Sequence, residues 1–141
     1  MKVVDGENLI LGRAASNVAK LLLNGDEVSI INADKMVISG QMPYLIAHYQ
    51  QRRNMKNKAN PDNSPKWPRR PDLFVRRIIR GMLPYDKPRG RAAFKRLTVY
   101  SQPPEELKGG ERISFPGTNA EKLETKYHTV AALCARLGFN Y

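Results

Sequence analysis

Hydrophobic and polar positions alternate along the chain with two periods, one for strands and one for helices. Lys2 to Leu11 opens on Val3-Val4, turns at Gly6 and resumes as Leu9-Ile10-Leu11. This predicts a strand, a turn and an approach to a helix. Between Gly12 and Asn24, residues Ala14, Val18, Leu21 and Leu22 fall on one helical face. Asn24-Gly25 supplies the stop, because Gly accepts the left-handed conformation. Gly12, Ala14, Ala15 and Ala19 are small enough to let this helix lie close to a sheet. Glu27 to Ala33, EVSIINA, is a β-branched run and predicts a strand buried on both faces, as parallel strands are. Met36 to Ser39 is a second short apolar piece.

Pro43 suits the first turn of a helix, and Leu45, His48, Tyr49 and Arg52 follow along one face of it. The pattern then stops. Asn54 to Pro71, NMKNKANPDNSPKWPRRP, holds too many prolines and polar residues for a core element and predicts a long extended loop. Asp72 is placed to cap the next helix, in which Val75, Ile78, Ile79 and Met82 form the apolar stripe and Arg76, Arg77 and Arg80 project from the other side. Gly81 ends this helix and Pro84 forbids its continuation. Asp86 is placed to cap a further helix, with Arg91 and Lys95 on one face and Ala93, Phe94 and Leu97 on another.

LTVYS (97–101) reads as a strand, Pro103-Pro104 and Gly109-Gly110 as turns, and ERISFP (111–116) as a short strand. Val130, Leu133, Cys134 and Leu137 make a last amphipathic helix stopped by Gly138. The order predicts one α/β domain over residues 1–141, with helices on both faces of a small, mostly parallel sheet and a basic helix-loop extension at about 54–71.

Charge changes the picture. The 141 residues carry a formal net charge of +11. From Arg52 to Arg96 there are 15 Lys or Arg and 3 Asp, whereas the other 96 residues hold 9 basic and 10 acidic side chains. The whole excess therefore lies in one third of the chain, and a polyanion is the expected partner. Nucleic acid leads, because each neutralised phosphate releases counterions. No apolar run approaches the roughly 20 residues a membrane-spanning helix needs. Asp5 and Glu7 interrupt the N-terminal apolar stretch where a signal peptide would be uncharged, and the single cysteine cannot form an internal disulfide. A reducing cytoplasm is the expected location.

Catalytic and cofactor motifs are largely missing. There is no P-loop string, and Gly6 to Gly12 lacks dinucleotide-binding spacing. Cys134 stands alone in an apolar stripe, and His48 and His128 lie far apart in sequence, so no zinc cluster is expected. The basic residues make the better constellation. Arg52, Arg53, Lys56 and Lys58 run from a helix into the loop, and Lys66, Trp67, Arg69 and Arg70 interleave cations with an aromatic. Trp67 either stacks on an unpaired base or packs beneath the loop. Arg76, Arg77 and Arg80 ride on a helix whose other side packs. Arg89, Gly90 and Arg91 sit near a helix start, where free amides favour an anion and Gly90 is expected to let a phosphate approach the backbone, and Lys87, Lys95 and Arg96 complete this basic segment. Core-packed helices would hold these cations at fixed positions, as recognition of one folded RNA requires.

RGMLPYDKPRGRAAFKRLTVY (Arg80 to Tyr100) resembles the signature of the large-subunit ribosomal protein L-thirteen family, in which Gly81-Met82-Leu83-Pro84 precedes a basic helix. Val3 to Gly40 resembles the family's N-terminal half, and the likeness is weakest from Gln102 to Lys126. The start at MKVVDG, the helix end Leu22-Leu23-Asn24-Gly25 and the compact length are similar to archaeal members. The resemblance implies a three-layer α/β/α domain with a four-stranded parallel sheet. It also implies a structural, non-enzymatic role in the ribosome. The implied partners are large-subunit ribosomal RNA and neighbouring large-subunit ribosomal proteins, with no cofactor, membrane or small-molecule substrate. The RNA-contacting segments it implies are Arg52 to Lys58, Lys66 to Arg70, Arg76 to Arg80 and Lys87 to Arg96. Two other readings of the residues are an extraribosomal regulator on messenger RNA, and an α/β enzyme using His48 or His128 in acid–base work on RNA or nucleotides.

Overall fold

Four of the strands form one parallel sheet in the computed structural model, which describes residues 1–107 and 112–140. They are β1 (Lys2–Asp5), β2 (Val28–Ile31), β4 (Leu97–Val99) and β5 (Arg112–Ile113), in the order β4-β2-β1-β5. The register places Val4 beside Ile30, Ile30 beside Val99 and Val4 beside Ile113. All four residues of β2 are buried, as a central parallel strand requires.

The connections β1 to β2 and β2 to β4 step the same way across the sheet. Right-handed crossovers then put their helices on one face. Consistent with this, α1 (Leu11–Asn24), α3 (Pro71–Gly81) and α4 (Pro88–Lys95) share one core with Val4, Val28 and Ile30. α2 (Met42–Asn54) and α5 (Val130–Arg136) join it through Leu45, Val130, Leu133 and Cys134. Val18, Leu22, Phe74, Val75, Ile79 and Leu133 are among its largest fully buried helical residues. Burying each of these apolar side chains stabilises the fold by roughly 1.5–3 kcal/mol.

The return from β4 to β5 crosses to the far side of β1, so its segment belongs on the opposite face. There Tyr100 and Leu107 cover Val3 and Ile31. Leu107 reaches this face from a 3-10 turn, Glu105–Leu107, and the five helices among the described residues and the four-stranded parallel sheet make one α/β domain, as expected. The expected turn at Gly109-Gly110 and Glu111 of the expected strand lie outside the described residues. Unforeseen is a two-stranded antiparallel ribbon of β3 (Val37–Ser39) and β6 (Tyr127–Thr129), which pairs Val37 with Thr129. Its strands of three residues are too short to show a period.

Two capping expectations are corrected. The N-cap of α3 is Arg70, with Pro71 first in the helix, and Asp72 in the first turn pairs with Arg70. Lys87, not Asp86, caps α4, and Pro88 opens it. In both cases a proline fixes the first helical position, which leaves the acid inside the first turn of α3 and ahead of the cap of α4. Met82 leaves the predicted stripe because α3 ends at Gly81, and it is exposed. Leu83 is buried instead, and Phe74, absent from the predicted stripe, is among the largest fully buried side chains.

Cys134 is fully buried in α5. Burial, helped by the Asp72 carboxylate, pushes its thiol up to about 12. The folded state therefore keeps a proton that the unfolded state loses above about pH 8.5. This thiol's contribution to stability is present below that pH and fades as pH rises toward about 12. Iodoacetamide at pH 8 is expected to label Cys134 only as fast as the chain unfolds. Rapid labelling of the native protein, at the rate of a free thiol, contradicts that burial.

Candidate nucleic-acid interface

The basic third of the chain lies along the end of α2, the loop 55–70, α3, the turn 82–87 and α4. The loop is largely exposed, with one 3-10 turn at Pro61–Asn63. Trp67 is its anchor. The indole is half-buried and packs against Tyr49 of α2 at 5.6 Å between ring centroids and against Phe74 of α3 at 6.3 Å. Of the two expected roles, packing beneath the loop is the one seen. Burial raises the Tyr49 phenol above its ordinary value, against the opposing pull of Arg52.

The rings also position cations. The guanidiniums of Arg52 and Arg77 each sit 5.2 Å from the Trp67 ring centroid. Arg76 lies over Phe94 at 4.5 Å and Arg80 over Tyr85 at 4.8 Å. Tyr85 and Phe94 meet edge to face at 5.6 Å, so these two supports form one aromatic pair. Each such cation–π contact contributes about 0.5–1 kcal/mol where exposed, and it restricts a long side chain to a few rotamers. Between α2, Trp67, the end of α3 and the 84–86 turn lies a cleft of about 540 Å³, bordered by Tyr49, Arg52, Trp67, Arg77, Arg80 and Tyr85. Lys66, Arg77 and Arg80 also border a neighbouring groove next to Asn63 and Ser64.

Several expected RNA-binding residues are engaged within the protein. Arg96 donates to the Leu22 carbonyl at 2.7 Å, and Arg89 reaches the Leu23 carbonyl at 3.5 Å. Both satisfy the carbonyl end of α1, where a cation is favoured. Arg53 donates to the Leu137 carbonyl at 3.3 Å, and Arg69 lies against Gly138, so the end of α5 is served in the same way. Burial and the nearby Arg69 lower the Arg53 pKa. Arg91 donates to the carbonyls of Tyr85 and Asp86, and Arg70 makes a two-pronged ion pair with Asp72.

Gly90 is a correction. It is buried, and its N–H already donates to the Lys87 carbonyl. A Cβ there would stand 1.9 Å from the Pro84 carbonyl oxygen. Gly90 is therefore present so that α4 can pack on the Pro84–Tyr85 turn, which accounts for the glycine without a phosphate.

Lys56, Lys58, Lys66, Lys87 and Lys95 are exposed. Among the described residues, Arg70 alone of the cations from Arg52 to Arg96 pairs with a carboxylate. The supporting rings Tyr49, Tyr85 and Phe94 were not among the expected site residues. No local spacing signals them: Phe94 lies beneath Arg76 of another helix, Tyr85 meets Arg80 across the end of α3, and Tyr49 acts through Trp67. His48 accepts from Arg52 at 3.1 Å, while His128 sits opposite Ile38 in the ribbon. No metal-holding cluster and no helix long and apolar enough to cross a membrane occur among the described residues.

Residues 1–106 match the family model described as Ribosomal protein L13. The large ribosomal subunit protein uL13 of Methanocaldococcus jannaschii is 50% identical over 143 residues, covering 100% of both chains. That of Methanosphaera stadtmanae is 52% identical over 140 residues, covering 99% of this chain and 98% of its own. That of Aeropyrum pernix is 42% identical over 138 residues, covering 97% and 89%.

Proposed function

Since the chain belongs to the ribosomal protein L13 family, we propose that it is a structural constituent of the large ribosomal subunit that binds large-subunit ribosomal RNA through its basic face and supports subunit assembly. Residues 1–141 act as one domain, with the loop 55–70 as its basic arm. The ribosome in the cytoplasm is its place of work, and its other partners are adjacent large-subunit proteins. The role requires neither cofactor nor small-molecule substrate.

The observation that carries this reading is the unneutralised cation array held on aromatic supports. Arg52, Arg76, Arg77 and Arg80 lie over Trp67, Phe94 and Tyr85, and none of them has a carboxylate partner among the described residues. Cations held near one another without acids repel, which disfavours the free protein and favours a polyanion. Lys56, Lys58, Lys66, Lys87 and Lys95 extend the field along the same stretch of chain. Arg53, Arg69, Arg70, Arg89, Arg91 and Arg96 serve first to fix the scaffold.

Binding to purified large-subunit ribosomal RNA as a function of salt tests the proposal. With six to ten phosphates contacted, affinity is expected to fall by roughly 10³–10⁵ between about 50 and 200 mM salt. A flat salt response, or binding no tighter than to an unrelated RNA of equal length, contradicts it.

A further inference from the structure

We propose that the cleft beside Trp67 receives one unpaired nucleotide extruded from the RNA, with its base stacked among the arginine–aromatic pairs and its phosphate on Arg77 and Arg80. This deepens the RNA-binding reading and rests on it. The cleft, at about 540 Å³, lies within the roughly 300–1,000 Å³ range of sites that enclose small organic groups. A duplex backbone needs only an exposed row of cations, whereas this cleft adds aromatic surface to them.

The lining has two chemistries. Tyr49, Trp67 and Tyr85 supply aromatic surface, and Arg52, Arg77 and Arg80 supply charge. Because Arg52 and Arg77 already sit over Trp67, and Arg80 over Tyr85, an entering base meets planar guanidiniums backed by rings. Unpaired RNA bases are bound by stacking on aromatic side chains or guanidinium planes. Such stacking is tolerant of sequence, since every base has a π-face. Asp86 is the one carboxylate in the lining. It repels a phosphate and can accept a base N–H, which favours a base over a bare anion. Trp67 thus acts indirectly, as the platform beneath the stacking groups.

Trp67 is the only tryptophan, so its fluorescence reports on the cleft. The probes are a short RNA duplex with one unpaired adenosine and the same duplex fully paired. The bulged duplex is expected to bind about tenfold more tightly and to change Trp67 emission, with the paired duplex leaving emission unaltered. The Arg52→Lys, Arg77→Lys double variant keeps both charges but loses the planar guanidiniums, and its affinity ratio is expected to fall to about one. Equal affinity of the wild-type protein for both duplexes, with steep salt dependence, overturns the cleft proposal and leaves the RNA-binding reading standing. A double variant that retains the tenfold ratio also overturns it. Failure to bind either duplex or ribosomal RNA overturns both.

Discussion

Gly90→Ala is expected to lower the melting temperature by on the order of 10 °C. In an open helix the same change would stabilise, by up to about 1 kcal/mol, because Ala is the better helix former. Here the new Cβ would lie 1.9 Å from the Pro84 oxygen, 2.3 Å from the Pro84 carbonyl carbon and 2.9 Å from the Tyr85 nitrogen. All three are backbone atoms, so no rotamer change relieves the contact and the turn must move off α4. Overpacking of this kind costs about 1–3 kcal/mol, and a clash with rigid backbone belongs at the upper end. About 3 kcal/mol corresponds to the stated shift at roughly 2–4 °C per kcal/mol for a domain of this size. Displacing Tyr85 would also take away the ring beneath Arg80, so RNA affinity should fall with stability. Gly81→Ala is the matched control, since nothing stands within 4 Å of its Cβ. A melting temperature unchanged or raised by Gly90→Ala would refute the close approach of α4 to the turn.

The second large effect concerns binding. Lys66→Ala, Arg77→Ala and Arg80→Ala together should weaken binding to large-subunit RNA on the order of 10²-fold at about 0.1 M salt and reduce the salt slope by about 2–3. The three residues border one groove, and none is paired to an acid among the described residues. Removing them strands no buried charge, so the expected loss of stability is limited to the cation–π contacts, roughly 1 kcal/mol each. Arg96→Ala should do the reverse. It removes the 2.7 Å bond to the Leu22 carbonyl, which should cost about 2 kcal/mol of stability while moving the salt slope little. If the triple variant keeps its slope while Arg96→Ala loses it, the division between scaffold and RNA-facing cations drawn here is wrong.

That division marks where the sequence ceased to be legible. Periodicity located α1, α3 and α5, because each puts a full apolar stripe on the core, and the β-branched run at Val28–Ile31 announced a strand buried on both faces. The ribbon of Val37–Ser39 and Tyr127–Thr129 was hidden because its partners are distant in sequence and three residues long. The charge count located the basic face, but a count cannot tell a guanidinium aimed at solvent from one aimed at a helix end. Arg80 and Arg96 look alike in sequence. They differ because α3 turns Arg80 toward Tyr85, whereas Arg96, just past α4, falls beside the carbonyls of α1. Gly90 shows the same limit. A glycine in a basic segment suggests room for a phosphate, and only the packed turn shows that the room is already filled.

Sedimentation of a native lysate through a sucrose gradient under subunit-dissociating conditions tests the central claim most directly. The protein should travel with the large subunit in a one-to-one ratio, and the triple variant should shift toward the top as salt rises. If the wild-type chain stays at the top with free proteins even at low salt, the structural role in the large subunit is contradicted.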